Sequence, residues 1–138
     1  MSRTEAWKQP GAIAEFRAAN LVDQIVKLLE SAQLDCSSEA VLQEGIARVL
    51  GGAGIRAERE HQLSIHDRID FFVKREGVGI EVKIGGGLAD VTRQLFRYAD
   101  HDDVKRLVLV TSRLQLRGVP DKIFGKPVRV AALLGSLF

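Results

Sequence analysis

Residues 69–87 read IDFFVKREGVGIEVKIGGG, two largely apolar runs separated by Glu76-Gly77 and closed by a glycine triplet. The pattern predicts an antiparallel hairpin, with strands over 69–74 and 78–84 and a turn at Glu76-Gly77. What sets it apart is the charge inside strands that should be buried. Successive side chains in a strand point to opposite faces, so Glu81 and Lys83 share one face while Ile80, Val82 and Ile84 share the other. By the same alternation Asp70 should face away from its neighbours Ile69 and Phe71, and a hairpin of this length brings it beside Glu81.

Working outward, residues 55–65 (IRAEREHQLSI) alternate and His66-Asp67-Arg68 makes a turn, which predicts a three-stranded antiparallel meander. Gly85 to Gly87 then release the chain into a helix from about Leu88 to Tyr98, with Leu88, Val91, Leu95 and Ala99 on its packed face. RLVLVTS, from Arg106, reads as a buried strand, and VRVAALL near the C-terminus as a last one. Ahead of the meander, Leu21, Val22, Ile25, Val26, Leu28, Leu29 and Ala32 recur at spacings of three and four, marking an amphipathic helix from Gly11 to about Ser31. A second helix begins at Ser37 or Ser38 and runs to Leu50, burying Leu42, Ile46, Val49 and Leu50, and glycines 51, 52 and 54 end it. The predicted order is ααβββαβ and then a further β, an α/β fold in which a mixed sheet is flanked by helices.

The chain of 138 residues is the size of one domain, and its 46% hydrophobic and 28% charged residues match a globular protein. It divides into an N-terminal helical extension (1–36), a core (37–112) and a C-terminal loop and strand (113–138). No apolar stretch approaches the roughly 20 residues that cross a bilayer, and the start MSRTEAWKQP is too polar for a secretory signal. With Cys36 as the single cysteine, no intrachain disulfide can form, so a reducing cytoplasm is the expected location. The net charge of +2 hides an asymmetry: residues 1–47 carry four Lys/Arg against seven Asp/Glu, and residues 48–138 sixteen against eleven. A positive surface around a small acidic site suits an enzyme acting on nucleic acid, because phosphates are attracted electrostatically while a divalent metal needs carboxylates.

Two carboxylates as close as Asp70 and Glu81 repel unless a cation lies between them, and hard oxygen ligands suit Mg²⁺ or Mn²⁺. Lys83 on the same face would place a positive donor near a bound water or a phosphate oxygen. No P-loop is present, since Gly125-Lys126 is followed by Pro127. His61, His66 and His101 have no metal-ligand spacing and read as surface or turn residues, Cys36 as a small buried apolar residue, and Glu60 as a cross-strand charge.

Asp70, then Glu81-Val82-Lys83, then a glycine loop and a helix carrying Gln94, resembles the PD-(D/E)xK nuclease superfamily, most closely the small phage-type and VRR-type nucleases related to Holliday-junction resolvases. The resemblance spans roughly residues 38–112, and Ile69 stands where the family name has proline. It implies a restriction-endonuclease-like core and metal-dependent hydrolysis of phosphodiester bonds in DNA, branched DNA included. It further implies Mg²⁺ or Mn²⁺ held by Asp70, Glu81 and the Val82 carbonyl, with Lys83 activating water and stabilising the transition state. The family also carries a glutamate on the helix before the sheet. Glu39, three residues before Leu42, falls on the packed stripe, whereas Glu44 lies nearly opposite it, so Glu39 is the expected metal residue. Gln94 would reach the metal water or the scissile phosphate, and Arg93, Arg97, Lys105 and Arg106 would contact phosphates. The first helix could pack on its own domain or form a homodimer, as in resolvase-like members. The alternative is a non-catalytic nucleic-acid-binding module or a scaffold subunit of a repair, restriction or replication assembly.

Overall fold

A computed structural model describes residue 5 and residues 8–134; the first part of the polar N-terminus and the end of the expected C-terminal segment lie outside the described residues. Helix α1 (Ala12–Ser31) begins just after Pro10 and buries Ala18, Val22, Ile25, Val26 and Leu29. Helix α2 (Glu39–Gly52) starts at Ser38, whose side chain accepts a hydrogen bond from the Val41 N–H and so satisfies one of the free donors of the first turn. Its buried side is Leu42, Gly45, Ile46 and Leu50, with Val49 only partly covered.

The strands follow as β1 (Glu58–Gln62), β2 (Arg68–Val73) and β3 (Val78–Val82). Antiparallel pairing of β1 with β2 and of β2 with β3 makes the meander. Helix α3 (Leu88–Ala99) crosses over to β4 (Arg106–Thr111), which lies parallel to β3. A 3₁₀ turn (Leu114–Gly118) and a two-residue strand β5 (Lys122–Ile123) precede β6 (Lys126–Ala132). The last strand is parallel to β4, giving a six-stranded mixed sheet in the order β1-β2-β3-β4-β6-β5. The chain is therefore mixed α/β.

Helices α1 and α2 cover one face of the sheet over Phe71, Val73, Ile80, Val82, Val108 and Val110. Helix α3 covers the other over Phe72, Leu107, Leu109 and Val128. Because both faces are packed, β3 and β4 read as nearly continuous apolar runs, and Glu81 is the exception that must be explained. The first helix packs on its own sheet, with Ile25 and Leu29 fully buried beside Ala131 and Leu133. Arg129 on β6 donates to Asp23, and the Ala132 N–H to Glu30, tying the last strand to α1.

Three expectations need adjustment. The first strand is shorter than 55–65, because only Glu58–Gln62 pairs with β2. On α3 the buried aromatic is Tyr98, while Leu88 at the exposed start of the helix is 38% accessible. The short β5 has no counterpart in the sequence pattern, since two residues are too few to show a period. Among the described residues no helix is long and apolar enough to cross a membrane.

Candidate active site

The β2–β3 ladder pairs Val73 with Val78, Phe72 with Gly79 and Phe71 with Ile80, and there it stops. One step further the side chains take over. The Asp70 N–H donates to Glu81 Oε1 at 3.3 Å, and the Val82 N–H donates to Asp70 Oδ2 at 2.8 Å. Two carboxylates thus replace the next rung of backbone hydrogen bonds, so the backbone donors are satisfied although the strands have ceased to pair.

This irregularity runs on into β1. The pairs on either side, Arg59 with Phe71 and His61 with Ile69, leave Glu60 opposite Asp70 without a rung, and Glu60 has a positive φ of 52°. As a result the side-chain alternation switches face. Phe71 belongs to the core under α1 and α2, whereas Ile69 belongs to the core under α3. Across from them Arg59 lies over the Phe71 ring and His61 stacks on Phe72 with ring centroids 4.7 Å apart. The expectation that Ile69 and Phe71 share a face is therefore incorrect. A regular strand is required for that alternation, and Asp70 sits where regularity ends.

Glu81 is 2% exposed and points to the α3 side. Its Oε2 lies 3.4 Å from Lys83 Nζ and 3.3 Å from the Tyr98 hydroxyl. Tyr98 in turn donates toward the Arg68 carbonyl at 2.9 Å and accepts from Gln94 Nε2 at 2.7 Å. A single hydroxyl proton serves Arg68 and Glu81 between them, so Glu81 receives few good donors for a buried carboxylate. Burial, then the Asp70 charge, pushes the Glu81 carboxyl up to about 8, with Lys83 opposing. Asp70 is raised as well, chiefly by burial and against the Val82 N–H. Tyr98 is pushed far up by burial and by Glu81 and Asp70, and stays protonated.

Glu39, the first residue of α2, accepts from the Ile84 N–H at 3.2 Å, and its charge helps raise Asp70. Glu44 is turned away and pairs with Arg59 at 2.7 Å on the surface. Gln94 reaches Glu81 only through Tyr98. Tyr98, four residues beyond Gln94, is the site residue that sequence reasoning missed; its helical spacing from Gln94 was the available signal.

The four expected phosphate contacts separate. Arg93 pairs with Asp90, and Arg97 donates to Asp67 at 3.2 Å, both on α3. Lys105 and Arg106 lie at the opposite end of the sheet, because Arg106 pairs with Val78, the start of β3, while Glu81 is near its finish. At about 3.3 Å per residue that separation is about 10 Å along the strand, so they do not face the carboxylates. Asp67 also takes a hydrogen bond from His101 Nε2 at 2.9 Å, which with Arg97 holds it below the ordinary carboxylate range. His61 and His101 are thus built into packing and hydrogen bonds, while His66 lies exposed in the turn. Glu60 meets Arg68 at 3.4 Å as a cross-strand pair, and Cys36 is half-buried.

The donor chemistry of Asp70 and Glu81 fits a hard divalent cation, which would relieve both the burial of charge and the mutual repulsion. The fit is to two carboxylates. Among the described residues no three His, Cys, Asp or Glu side chains are gathered as a metal-holding set, and Glu39 is engaged with Ile84. No family model, curated protein or solved structure matches this chain.

Proposed function

We propose that the chain is a metal-dependent nuclease of the PD-(D/E)xK type, hydrolysing phosphodiester bonds in DNA. The observation that carries the reading is the replacement of a ladder rung by the Asp70 and Glu81 carboxylates, with Lys83 near the Glu81 carboxylate. A structural role alone does not call for a buried and a half-buried carboxylate side by side, since an apolar pair would hold the hairpin at lower cost.

Asp70, Glu81 and the Val82 carbonyl would hold Mg²⁺ or Mn²⁺, with Glu39 acting through water. When bound, the ion would neutralise the carboxylates, polarise the phosphate and make a water more acidic. Lys83 supplies a fixed positive charge beside Glu81, able to orient a water or stabilise charge on a phosphate. Tyr98 fixes the Glu81 carboxylate from the α3 side, and Gln94 fixes Tyr98. Val82, by donating to Asp70, sets the orientation of the first carboxylate.

A second reading, a non-catalytic nucleic-acid-binding module in a larger assembly, is favoured by the engagement of Glu39 with Ile84 and the absence of a gathered third ligand among the described residues. The deciding experiment is cleavage of labelled linear duplex, single strand, flap and four-way junction, with Mg²⁺, Mn²⁺ or EDTA, for wild type, Glu81→Ala and Lys83→Ala. The nuclease reading expects products that require metal and both side chains, the preferred structure naming the substrate. Metal-independent binding without any product would transfer the assignment to the module.

A further inference from the structure

A groove of about 1050 Å³ lies away from the carboxylates, at the start of β3 and β4. Lys74 and Arg75 of the β2–β3 turn, Lys105 just before β4, and Arg106, Lys122 and Lys126 of β4, β5 and β6 line it, and Arg17 adds a seventh cation from α1. Four carboxylates share the lining, and one of them, Glu76, pairs with Arg75. Lys126 is occupied by the carbonyls of Ala99 and His101 at the end of α3. Among the described residues, Arg17, Lys74, Lys105, Arg106 and Lys122 have no carboxylate within 4.0 Å. Five unpaired cations around one groove repel one another and favour an anion with several charges.

A second, independent observation lies at the rim. The β5–β6 hairpin pairs Ile123 with Lys126, so Phe124 and Gly125 form a two-residue turn, and both have positive φ, 51° and 74°. Such a turn favours Asn-Gly, because a bulky side chain is strained at positive φ. Phenylalanine stands there nonetheless, 62% exposed, with its ring edge-to-face against Phe96, itself 40% exposed, at 5.5 Å. The turn is strained, and most of the ring stands in solvent next to Gly125 and Lys126, which line the groove.

Cations that track a phosphate backbone, with aromatic rings beside them on which unpaired bases stack, are the physical requirements for holding single-stranded nucleic acid. We propose that this groove and the Phe124–Phe96 pair bind a single strand, apart from the carboxylate site. The proposal rests on the nucleic-acid reading given above and names a single-stranded tail as part of the substrate. A duplex would offer phosphates to the groove but hide its base faces in the stack, and an acidic peptide would have no base for Phe124.

The test is fluorescence anisotropy with a labelled thymine homopolymer and with a duplex of equal length, in EDTA, so that cleavage plays no part. Phe124→Asn should weaken single-strand affinity about tenfold. It should change the melting temperature little, because relief of the strained turn offsets the lost contact with Phe96. Lys74→Gln with Lys105→Gln, which keeps the Lys105 stem against Gly77, should flatten the dependence of log affinity on log salt by about 0.7 for each phosphate no longer neutralised. The proposal is overturned if wild type does not bind the homopolymer, if Phe124→Asn binds it as tightly, if the salt slope is unaltered, or if polyglutamate competes equally. A protein that cleaves DNA yet shows any of these results would lose this proposal and keep the nuclease reading. One that binds as described but never cleaves would do the reverse.

Discussion

The two ends of strand β3 solve opposite problems. At its start, Val78 pairs with Arg106 and the surface opens into a wide, solvated groove whose charges come from many side chains. At its finish the backbone ladder fails, and the half-buried Asp70 and the buried Glu81 hold the strands together through their side chains, with Lys83 and Tyr98 beside Glu81. Volume and chemistry have therefore parted: the wide groove is at the end rich in solvated cations, and the carboxyls that burial has shifted are outside it. Attraction of a polyanion needs many exposed charges acting over distance, whereas charge chemistry needs few groups, desolvated and fixed.

The largest effect should come from breaking the carboxylate end. Glu81→Gln is expected to lower metal-dependent cleavage by about 100-fold or more, while circular dichroism stays that of wild type. Cleavage at the wild-type rate would refute the assignment of chemistry to this end.

The next contrast is in pH. Glu81 holds its proton in the native state until about 8, against 4.5 for an ordinary glutamate, and Asp70 is shifted in the same direction. The folded protein thus binds more protons than the unfolded chain between those values, and stability falls as pH rises through that window. Without metal, the melting temperature should decline from about pH 5 to about pH 8. Glu81→Gln should flatten the decline, and Mg²⁺ should offset it most at the alkaline side. A flat profile for wild type would mean that the carboxylates are not desolvated as described.

At the groove end the stability determinant is steric. Gly77 turns the hairpin at φ 70°, and a Cβ there would stand 2.8 Å from the Asp103 carbonyl oxygen and 2.7 Å from Lys105 Cγ. Gly77→Ala should cost about 2 kcal/mol in urea unfolding, with no change in the pH slope, since neither Asp70 nor Glu81 is touched. The smallest effect expected is that of Ser38→Ala, which removes the cap of the helix carrying Glu39 and should cost about 1 kcal/mol. A loss of cleavage beyond what that destabilisation explains would place Glu39 among the groups that serve the site.

The elements were largely legible because each had several turns or residues in which to display its period. The stripe of α1, the Ser38 cap of α2 and the alternation through Ile80, Glu81 and Val82 all lie in the chain itself. The juxtaposition of Asp70 with Glu81 was also legible, since a short hairpin leaves few registers. What escaped were features that arise where elements meet: the switch of face at Asp70, the entry of Tyr98, and the position of Lys105 and Arg106 at the other end of the sheet. Lys105 follows α3 by only a few residues, but the crossover returns the chain to the start of β3, and nothing in RLVLVTS specifies which end that is.

Taken by itself, the sequence determined the periods, the turns and the pairing of two carboxylate-bearing strands, because these depend on backbone geometry within a few residues. Only the tertiary structure decided that Glu81 would be buried against Tyr98, that Glu39 would reach Ile84, and that the basic groove would open at the other end of β3. Burial and convergence depend on which elements cover which face, and that is settled by packing between residues distant in the chain.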